Sequence, residues 1–267
     1  MRRPDTVAAR PALLAHHQED AADHMTPNAL KLASALTSNA KTGHLTKQQF
    51  VYTTLRESII RSELSPGTRL VIDDLARQFK VSIIPVREAL RLLQSEGLVL
   101  SVAHVGATVA PISKASVVEV FTLLEGLEVV TARVAAERAT AADFEMLGTF
   151  VAEMDRALEA GSPLHWAEIN TRFHLAISKL ADMPILHDMM QRAVDYWDRV
   201  RRFYFRDVLI HRTRLAQAEH RAMLVQMESQ DIPALEQTVR EHNRGALAAY
   251  MSHLDGTSDR EKRERHA

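Results

Sequence analysis

The chain has 267 residues, of which 46% are hydrophobic and 25% charged, and its formal net charge is −1. The length exceeds the usual domain size of about 100–150 residues and predicts two domains, while the balanced charge excludes a whole-chain attraction to nucleic acid or to a membrane surface. The absence of cysteine excludes disulfides and thiolate chemistry and fits a cytoplasmic protein, and no apolar run approaches the ~20 residues of a membrane helix.

The N-terminal segment, residues 1–45, is rich in alanine and polar residues without a sustained hydrophobic period. We expect a tail that is disordered or partly helical. Regular structure is predicted from Thr46, whose spacing to Gln49 matches a helix capping box. Pro66 and Gly67 end this first helix, and the stretch DDLARQFK predicts a short second one.

The stretch VSIIPVREALRLLQSEGLV, residues 81–99, predicts a third helix. Ser82 is the expected N-cap, Pro85 fits the first turn, and Gly97 closes the helix. The following LVLSVAHVGATVAP alternates as two short strands do, so residues 46–112 have the element order of a winged helix-turn-helix. The alternative is an ordinary amphipathic helix with a charged solvent face.

The C-terminal half shows only helical periodicity, which predicts an all-α bundle of about six helices over residues 113–252, followed by a charged tail, 253–267. Helix breaks are expected at residues 140–143, 160–163, 181–184, near Asp207 and at 229–233.

Two groups of motifs carry a family resemblance. PGTRL, LARQFKVSIIPVREALRLLQSEGLV and GATV resemble the DNA-binding domain of GntR-family transcription regulators, and LEGLEVVTARVAAERAT, NTRFHLAI and EHRAML resemble the FCD ligand-sensing domain of the FadR branch. The resemblance implies a mostly α fold, an N-terminal winged helix-turn-helix and a C-terminal FCD bundle. It also implies a non-enzymatic, homodimeric regulator that binds an inverted repeat in double-stranded DNA and responds to a small-molecule effector such as an organic acid.

The resemblance assigns DNA contacts to the start of the third helix and to the tip of the wing. Ile83 stands where the family commonly has arginine, and Ile84 where it has threonine. Isoleucine cannot bond guanine but can lie against a thymine methyl group, so we expect fewer guanine contacts. The expected DNA-binding residues are Ser82, Ile83, Ile84, Pro85, Arg87, Arg91 and Gly106.

The charge of the predicted DNA-binding domain is modest. Residues 46–111 contain eight Lys or Arg and six Asp or Glu, a net charge of +2. A single copy should therefore bind DNA weakly, and two linked copies on two half-sites are the natural remedy.

Four residues of the helical half are candidate metal ligands. Asn170 and His174 lie four residues apart, on one helix face, and His220 and His242 come from later helices. Among 13 histidines some triples look suggestive by chance, but FCD domains often carry a metal-binding Asp or Asn before a His and two later His, and these positions match. We expect a divalent metal of the Zn or Ni type.

The expected ligand set is neutral, since it has asparagine where an aspartate is common. It should leave the charge of the ion uncompensated, hold the metal less tightly and attract an anion more strongly. We therefore expect a carboxylate of the effector to complete the coordination.

The effector pocket departs from the family pattern at Leu124, four residues before Glu128, where many FCD domains have an arginine that grips a carboxylate. Either the effector is less acidic or another cation substitutes. The stretch YWDRVRRFYF offers Tyr196, Arg199 and Arg202. A basic solvent-facing helix is the alternative interpretation.

Two other functions remain open at this stage. A metal-dependent enzyme could act through the histidine-rich centre, but the obvious base, Glu241, neighbours His242 in sequence and points about 100° away on a helix. An adaptor could use the winged helix to bind protein. Steep salt dependence of binding to operator DNA would distinguish the regulator from both.

Overall fold

The computed structural model of the chain describes residues 45–102, 106–208 and 212–264. The predicted N-terminal tail lies outside these residues, except for Leu45. The contacts between described residues divide the chain into two units, which we treat separately. The first unit comprises residues 45–59 and 63–109, and the second comprises residues 60–62 and 110–264.

The first unit combines three helices with a small antiparallel sheet. The central strand pairs with both others, so that Thr108 lies opposite Arg69 on one side and Leu100 on the other. The predicted hairpin is confirmed, and the two-residue strand beside it was missed because it is too short for a periodic signal. The elements are α1 (Lys47–Ile60), β1 (Arg69–Leu70), α2 (Ile72–Phe79), α3 (Ile83–Ser95), β2 (Val99–Val102) and β3 (Gly106–Val109).

The ends of α1 and α3 follow from local chemistry. The predicted capping box is confirmed, since the Thr46 amide donates to Gln49 Oε1 at 3.0 Å and the Gln49 amide donates to Thr46 Oγ1 at 3.2 Å. Ser82 is the N-cap of α3, as predicted, but its side chain makes no capping hydrogen bond. Gly97 ends α3 with a φ of 71°, the left-handed conformation that glycine adopts without steric cost.

The third helix is held by one buried face and one polar contact. Val86, Ala89 and Leu93 are fully buried against the core of the first unit. At its C-terminal end, Glu96 accepts hydrogen bonds from Arg56 Nε at 2.9 Å and from the Tyr52 hydroxyl, both on α1. These contacts fix the helix axis and leave the opposite face, with the first turn, toward solvent.

The second unit is an all-α bundle, and its six helices over the described residues agree with the predicted number. Its core includes the fully buried side chains of Leu147, Phe173 and Tyr250. The helices are α4 (Lys114–Arg138), α5 (Ala141–Glu159), α6 (Pro163–Leu180), α7 (Pro184–Val208), α8 (Thr213–Glu228) and α9 (Ile232–Glu264).

Helix starts in this unit lie where the break signals predicted them. Ser113 and Thr140 form capping boxes, and Pro163 and Pro184 are the first residues of α6 and α7. The last helix continues to Glu264, so most of the segment expected as a charged tail is helical. Among the described residues, none of the helices combines the length and apolar character needed to cross a bilayer.

We predict that Gly97→Ala lowers the thermal unfolding temperature of the chain. An L side chain in the left-handed region costs about 1–2 kcal/mol, and the residue ends the helix whose first turn is exposed. Gly126→Ala on α4 is the control, because Gly126 is exposed and an added Cβ would meet no atom within 4 Å. Differential scanning calorimetry that gave Gly97→Ala the same unfolding temperature as the control would contradict this account.

Candidate functional site

The first turn of α3 exposes apolar surface. Ile83 and Ile84 are 40% and 69% exposed, and Arg87 one turn later is exposed as well. The burial of Val86 and Ala89 on the other side of the helix fixes this orientation. The N-terminal amides of the helix therefore point outward together with two apolar side chains and one cation, which suits a phosphate and the edges of bases.

The other predicted DNA-contacting residues surround this turn. Ser82 is exposed and Pro85 is half-buried. Arg91 is exposed and pairs with Glu88 on the same helix, with 2.8 Å between Nη1 and Oε1. Gly106 is exposed at the start of β3, with a φ of 95°, and the preceding residues 103–105 lie outside the described residues.

Three histidines meet inside the second unit. His174 on α6, His220 on α8 and His242 on α9 are all buried, and one ring nitrogen from each lies within 4.8 Å of the others. Asn170, one turn before His174, is also buried. The structure thus brings the three histidines together, and Asn170 lines the same cavity as His174 and His242.

The position of the proton on His220 follows from the orientation of Gln217. The Gln217 amide nitrogen donates to the Val151 carbonyl at 2.9 Å and to Asp155 Oδ1 at 2.7 Å. Its oxygen therefore faces the other way, where it accepts from Trp166 Nε1 at 3.2 Å and lies 3.4 Å from His220 Nδ1. An amide oxygen only accepts, so His220 carries its proton on Nδ1 and presents the lone pair of Nε2.

The other two histidines are oriented by carboxyl groups. His174 Nδ1 lies 3.2 Å from Glu128 Oε1, and Asn243 Nδ2 donates to the other Glu128 oxygen at 2.6 Å. His242 Nδ1 lies 2.6 Å from Glu219 Oε2. With Nδ1 held by a carboxyl group, Nε2 of each ring is the nitrogen that remains to bind a metal, an arrangement that is usual for metal-binding histidines.

Burial favours the neutral form of His174 and His220. Burial lowers the pKa of His174, although Glu128 opposes this effect. The pKa of His220 lies well below its ordinary value because of burial and, further, because of His242, His174 and Arg212. Burial alone would raise the pKa of Glu219, but its contacts with His242 and Arg212 outweigh burial and lower it. The neutral form is the one in which an imidazole binds a metal ion.

The buried acceptors fit a divalent ion. His220 Nε2 and Asn170 Oδ1 are buried and have no hydrogen-bond partner among the described residues. Three imidazole nitrogens and an amide oxygen are ligands that Zn and Ni accept. The expectation that the charge of the ion would be uncompensated is revised, because the carboxyl groups of Glu128 and Glu219 lie directly behind two of the rings.

A cavity of about 30 Å³ adjoins the cluster. Its polar wall includes Asn170, His174 and His242, and its apolar wall includes Leu124 and Trp197. A volume near 30 Å³ holds about two water molecules, so a ligand of several carbon atoms requires side chains of the apolar wall to move.

The predicted effector residues separate into two groups. Leu124 lines the cavity, whereas Tyr196, Arg199 and Arg202, all on α7, are not among the described residues that line it. Arg199 is buried and its guanidinium donates to the Ala110 carbonyl oxygen. Arg202 is exposed and lies 3.7 Å from Asp198, and Tyr196 is half-buried against the core of the bundle.

Glu241 does not face the cluster. Its side chain is exposed and accepts a hydrogen bond at 2.6 Å from Gln237, one turn earlier on α9. The neighbouring His242 is buried. The arrangement gives the metal-dependent enzyme hypothesis no base from this residue.

Sequence reasoning missed the residues behind the ligands as site residues. Glu219 and Asn243 directly adjoin two of the histidines in sequence, and Gln217 lies three residues before His220. Buried polar side chains need partners, so a polar residue beside a candidate buried ligand is a usable signal. The sequence does not reveal which polar residue pairs with which ring, because each pair except His220–Gln217 joins two helices.

Family profiles match both units. The profile described as bacterial regulatory proteins, gntR family, matches residues 47–109, and the profile of the FCD domain matches residues 119–245. McbR, an HTH-type transcriptional regulator of Escherichia coli K12, is 33% identical over 153 residues, which cover 57% of this chain and 69% of McbR. RspR, an HTH-type transcriptional repressor of the same strain, is 28% identical over 194 residues, which cover 73% and 84% of the two chains.

The fold also has relatives among solved structures. The structure of Escherichia coli McbR/YncC superposes with a TM-score of 0.63 at 24% sequence identity, and the match covers 78% of this chain and 99% of that one. At this identity the likeness shows the fold.

We predict that the metal-free chain loses stability as the pH falls below about 6.5. Both His174 and His220 have lower pKa values in the folded chain than the ordinary value, so the unfolded chain binds more protons below that pH. Each group contributes a slope of at most about 1.4 kcal/mol per pH unit. Thermal unfolding with a chelator present, between pH 7.5 and pH 5.5, measures the slope.

The contribution of the cluster is isolated by two variants. His220→Leu should reduce the pH slope, whereas His165→Leu, which removes an exposed imidazole from α6, should keep the slope of the wild type. An identical slope for the wild type and His220→Leu would show that the burial of His220 does not contribute to the pH dependence of stability.

Proposed function

We propose that a small metabolite controls the DNA binding of this chain, which belongs to the GntR family of bacterial regulatory proteins and is a transcription regulator with an FCD ligand-binding domain. The observation that carries the proposal is the set of convergent buried acceptors beside a cavity, in the domain that the family uses for ligands. We further propose that residues 46–112 bind DNA, that residues 113–252 bind the metabolite and join two copies, and that the protein acts in the cytoplasm.

DNA reading is assigned to the first turn of α3. The exposed Ile83 and Ile84 would lie against base edges in the major groove, with Arg87 at a phosphate or a guanine. The net charge of +2 over residues 46–111 supplies few phosphate contacts. Two copies on an inverted repeat would therefore bind where one copy binds weakly, which favours a homodimer.

The metal ligands are proposed to be Asn170, His174, His220 and His242. A divalent ion held there would supply a positive charge at the polar wall of the cavity and bind an anionic oxygen of the effector. Among the described residues no arginine or lysine lines the cavity, so the ion would be its source of positive charge. The apolar wall favours a small carboxylate with a short apolar body.

Control of DNA binding is proposed to pass through α7. Val194 and Trp197 on this helix line the cavity. Slightly further along, Arg199 donates to the carbonyl of Ala110, the first residue of the second unit after β3, and the Tyr204 hydroxyl lies 3.5 Å from the Ile112 carbonyl. An effector that widens the cavity would move α7 and the segment attached to it.

Such control requires that the effector bind the DNA-competent and incompetent states with different affinities. The measurement is the affinity of the metal-loaded chain for genomic DNA fragments that it selects, with and without a panel of small carboxylic acids. We expect the affinity to fall steeply with salt, as counterion release requires, and one or more acids to change it. After chelation of the metal, the acids should have no effect.

Asn170→Asp provides a matched test of the ligand set. The added negative charge should tighten metal binding and weaken the effect of a carboxylate on DNA affinity, because the ion then attracts an external anion less. Effector control that survives chelation would overturn the role of the metal. Salt-insensitive association with the DNA would instead favour the adaptor hypothesis.

We predict that replacing thymine by uracil in the half-site weakens binding at the position read by Ile84. Loss of one buried methyl contact, worth about 0.8 kcal/mol, corresponds to roughly a fourfold loss of affinity. The base substitution should have no effect on Ile84→Ala, which lacks the side chain that contacts the methyl group. Scanning each thymine with fluorescence anisotropy measures this, and equal losses for both proteins would contradict the assignment.

A further inference from the structure

A buried arginine lies behind one of the proposed ligands. Arg212 precedes α8 and is 9% exposed, and its Nη2 donates to both oxygens of Glu219, at 2.9 and 3.1 Å. Glu219 Oε2 also accepts from His242 Nδ1 at 2.6 Å. Arg212, Glu219 and His242 thus form a continuous hydrogen-bonded chain that ends at the histidine cluster.

The guanidinium of Arg212 lies directly against the backbone of α9 at Gly245. A Cβ added to Gly245 would lie 2.2 Å from Arg212 Nη2 and 3.0 Å from its Cζ and Nε. Ordinary contacts begin near 3.4 Å, so any larger residue would push the guanidinium away by about 1 Å or more. Because Arg212 Nη2 is the atom that holds Glu219, this displacement would break its hydrogen bonds.

A glycine inside a helix has a cost, about 1 kcal/mol relative to alanine, which calls for a packing reason. Gly126 and Gly148, the other helical glycines whose surroundings the structure describes, have no such contact. A Cβ added at Gly126 would have no atom within 4 Å, and a Cβ added at Gly148 would lie 3.9 Å from Leu224 Cδ2, an ordinary contact distance. The lack of a side chain at Gly245 therefore makes room for the guanidinium of Arg212.

We propose that Arg212 and Gly245 are positioning residues for His242. The seated guanidinium fixes the carboxylate of Glu219, which holds the proton on His242 Nδ1 and turns His242 Nε2 toward the other two histidines. This role rests on the proposed metal site. Removing a hydrogen-bonding partner of a ligand histidine typically lowers metal affinity by roughly ten- to a hundredfold, so a change at Gly245, which touches no ligand, should do the same.

A purely structural ion pair makes a different prediction. A buried Arg–Glu pair that served only to stabilise the first turns of α8 would change the unfolding temperature when lost, while metal affinity and the state of the His242 ring stayed the same. Metal affinity and ring protonation therefore distinguish the two roles.

The experiment compares the full-length wild type with Gly245→Ala, Arg212→Gln and the double variant. Gly148→Ala is the matched control, because both glycines are half-buried within helices. Affinities for Zn²⁺ and for Ni²⁺ are measured by competition with a chromophoric chelator. Nitrogen-15 NMR of the metal-free proteins reports which nitrogen of His242 carries the proton and how strongly that proton is hydrogen-bonded.

We expect Gly245→Ala and Arg212→Gln each to lower metal affinity at least about tenfold and to weaken the Nδ1–H signal of His242, while Gly148→Ala behaves as the wild type. The double variant should bind no more weakly than Arg212→Gln, because Gly245 acts only through Arg212. Wild-type affinity and an unchanged His242 signal in Gly245→Ala would overturn the inference. If the wild type takes up neither metal, the proposed metal site fails, while the NMR comparison still decides whether Arg212 positions His242.

Discussion

The burial of three imidazole rings at one point of the helical bundle is the constraint on which the candidate site depends. His220 is fully buried, and His174 and His242 nearly so, and a charged ring there would have to be desolvated. The rings contact Gln217, Glu128 and Glu219 through Nδ1, and the buried Nε2 of His220 has no hydrogen-bond partner among the described residues. A buried polar atom without a partner costs about 1–3 kcal/mol, and Asn170 Oδ1 adds a second such atom to this site. A cation or an external donor resolves this conflict.

The same constraint explains the polar residues around the rings. Glu128 on α4 contacts the His174 ring and also accepts a hydrogen bond from Asn243. Glu219 on α8 contacts the His242 ring and also accepts a hydrogen bond from Arg212. The proposed ligand set contains no carboxyl group, and the carboxyl groups of Glu128 and Glu219 lie behind the rings. Carboxyl groups in that position would balance the charge of a bound cation without acting as its ligands, which is compatible with the proposed binding of an effector anion.

Much of this arrangement could be predicted from the sequence, because the signals are local. The four-residue spacing of Asn170 and His174 fixes them on one helix face, and Gly97 and Pro85 mark the limits of α3 whatever surrounds it. The charged segment after residue 252 has no apolar face that would predict a helix, yet α9 continues through it.

The pairing of side chains between helices could not be read in the same way. Arg199 and Arg202 are three residues apart on α7, yet one is buried and directed to the Ala110 carbonyl while the other is exposed beside Asp198. The packing of the bundle decides which face of α7 is turned toward the cavity. Composition does not contain this information, so Arg199 and Arg202 were equal candidates. The position of the Glu219 carboxyl group likewise depends on packing between helices, because Gly245 on α9 lies against the guanidinium of Arg212, which holds Glu219.

The small size of the cavity links ligand binding to a change of packing. A space of about 30 Å³ cannot admit a metabolite unless its apolar wall moves, and that wall includes Val194 and Trp197 on α7. Close-packed interiors transmit such displacements because they compress little. Arg199, shortly after Trp197 on α7, donates to the carbonyl of Ala110, the residue that follows β3. A displacement of α7 at the cavity would therefore also displace Ala110. A bundle with a larger preformed cavity could bind a ligand without moving α7, so the tight packing supports the proposed metabolite control over simple binding.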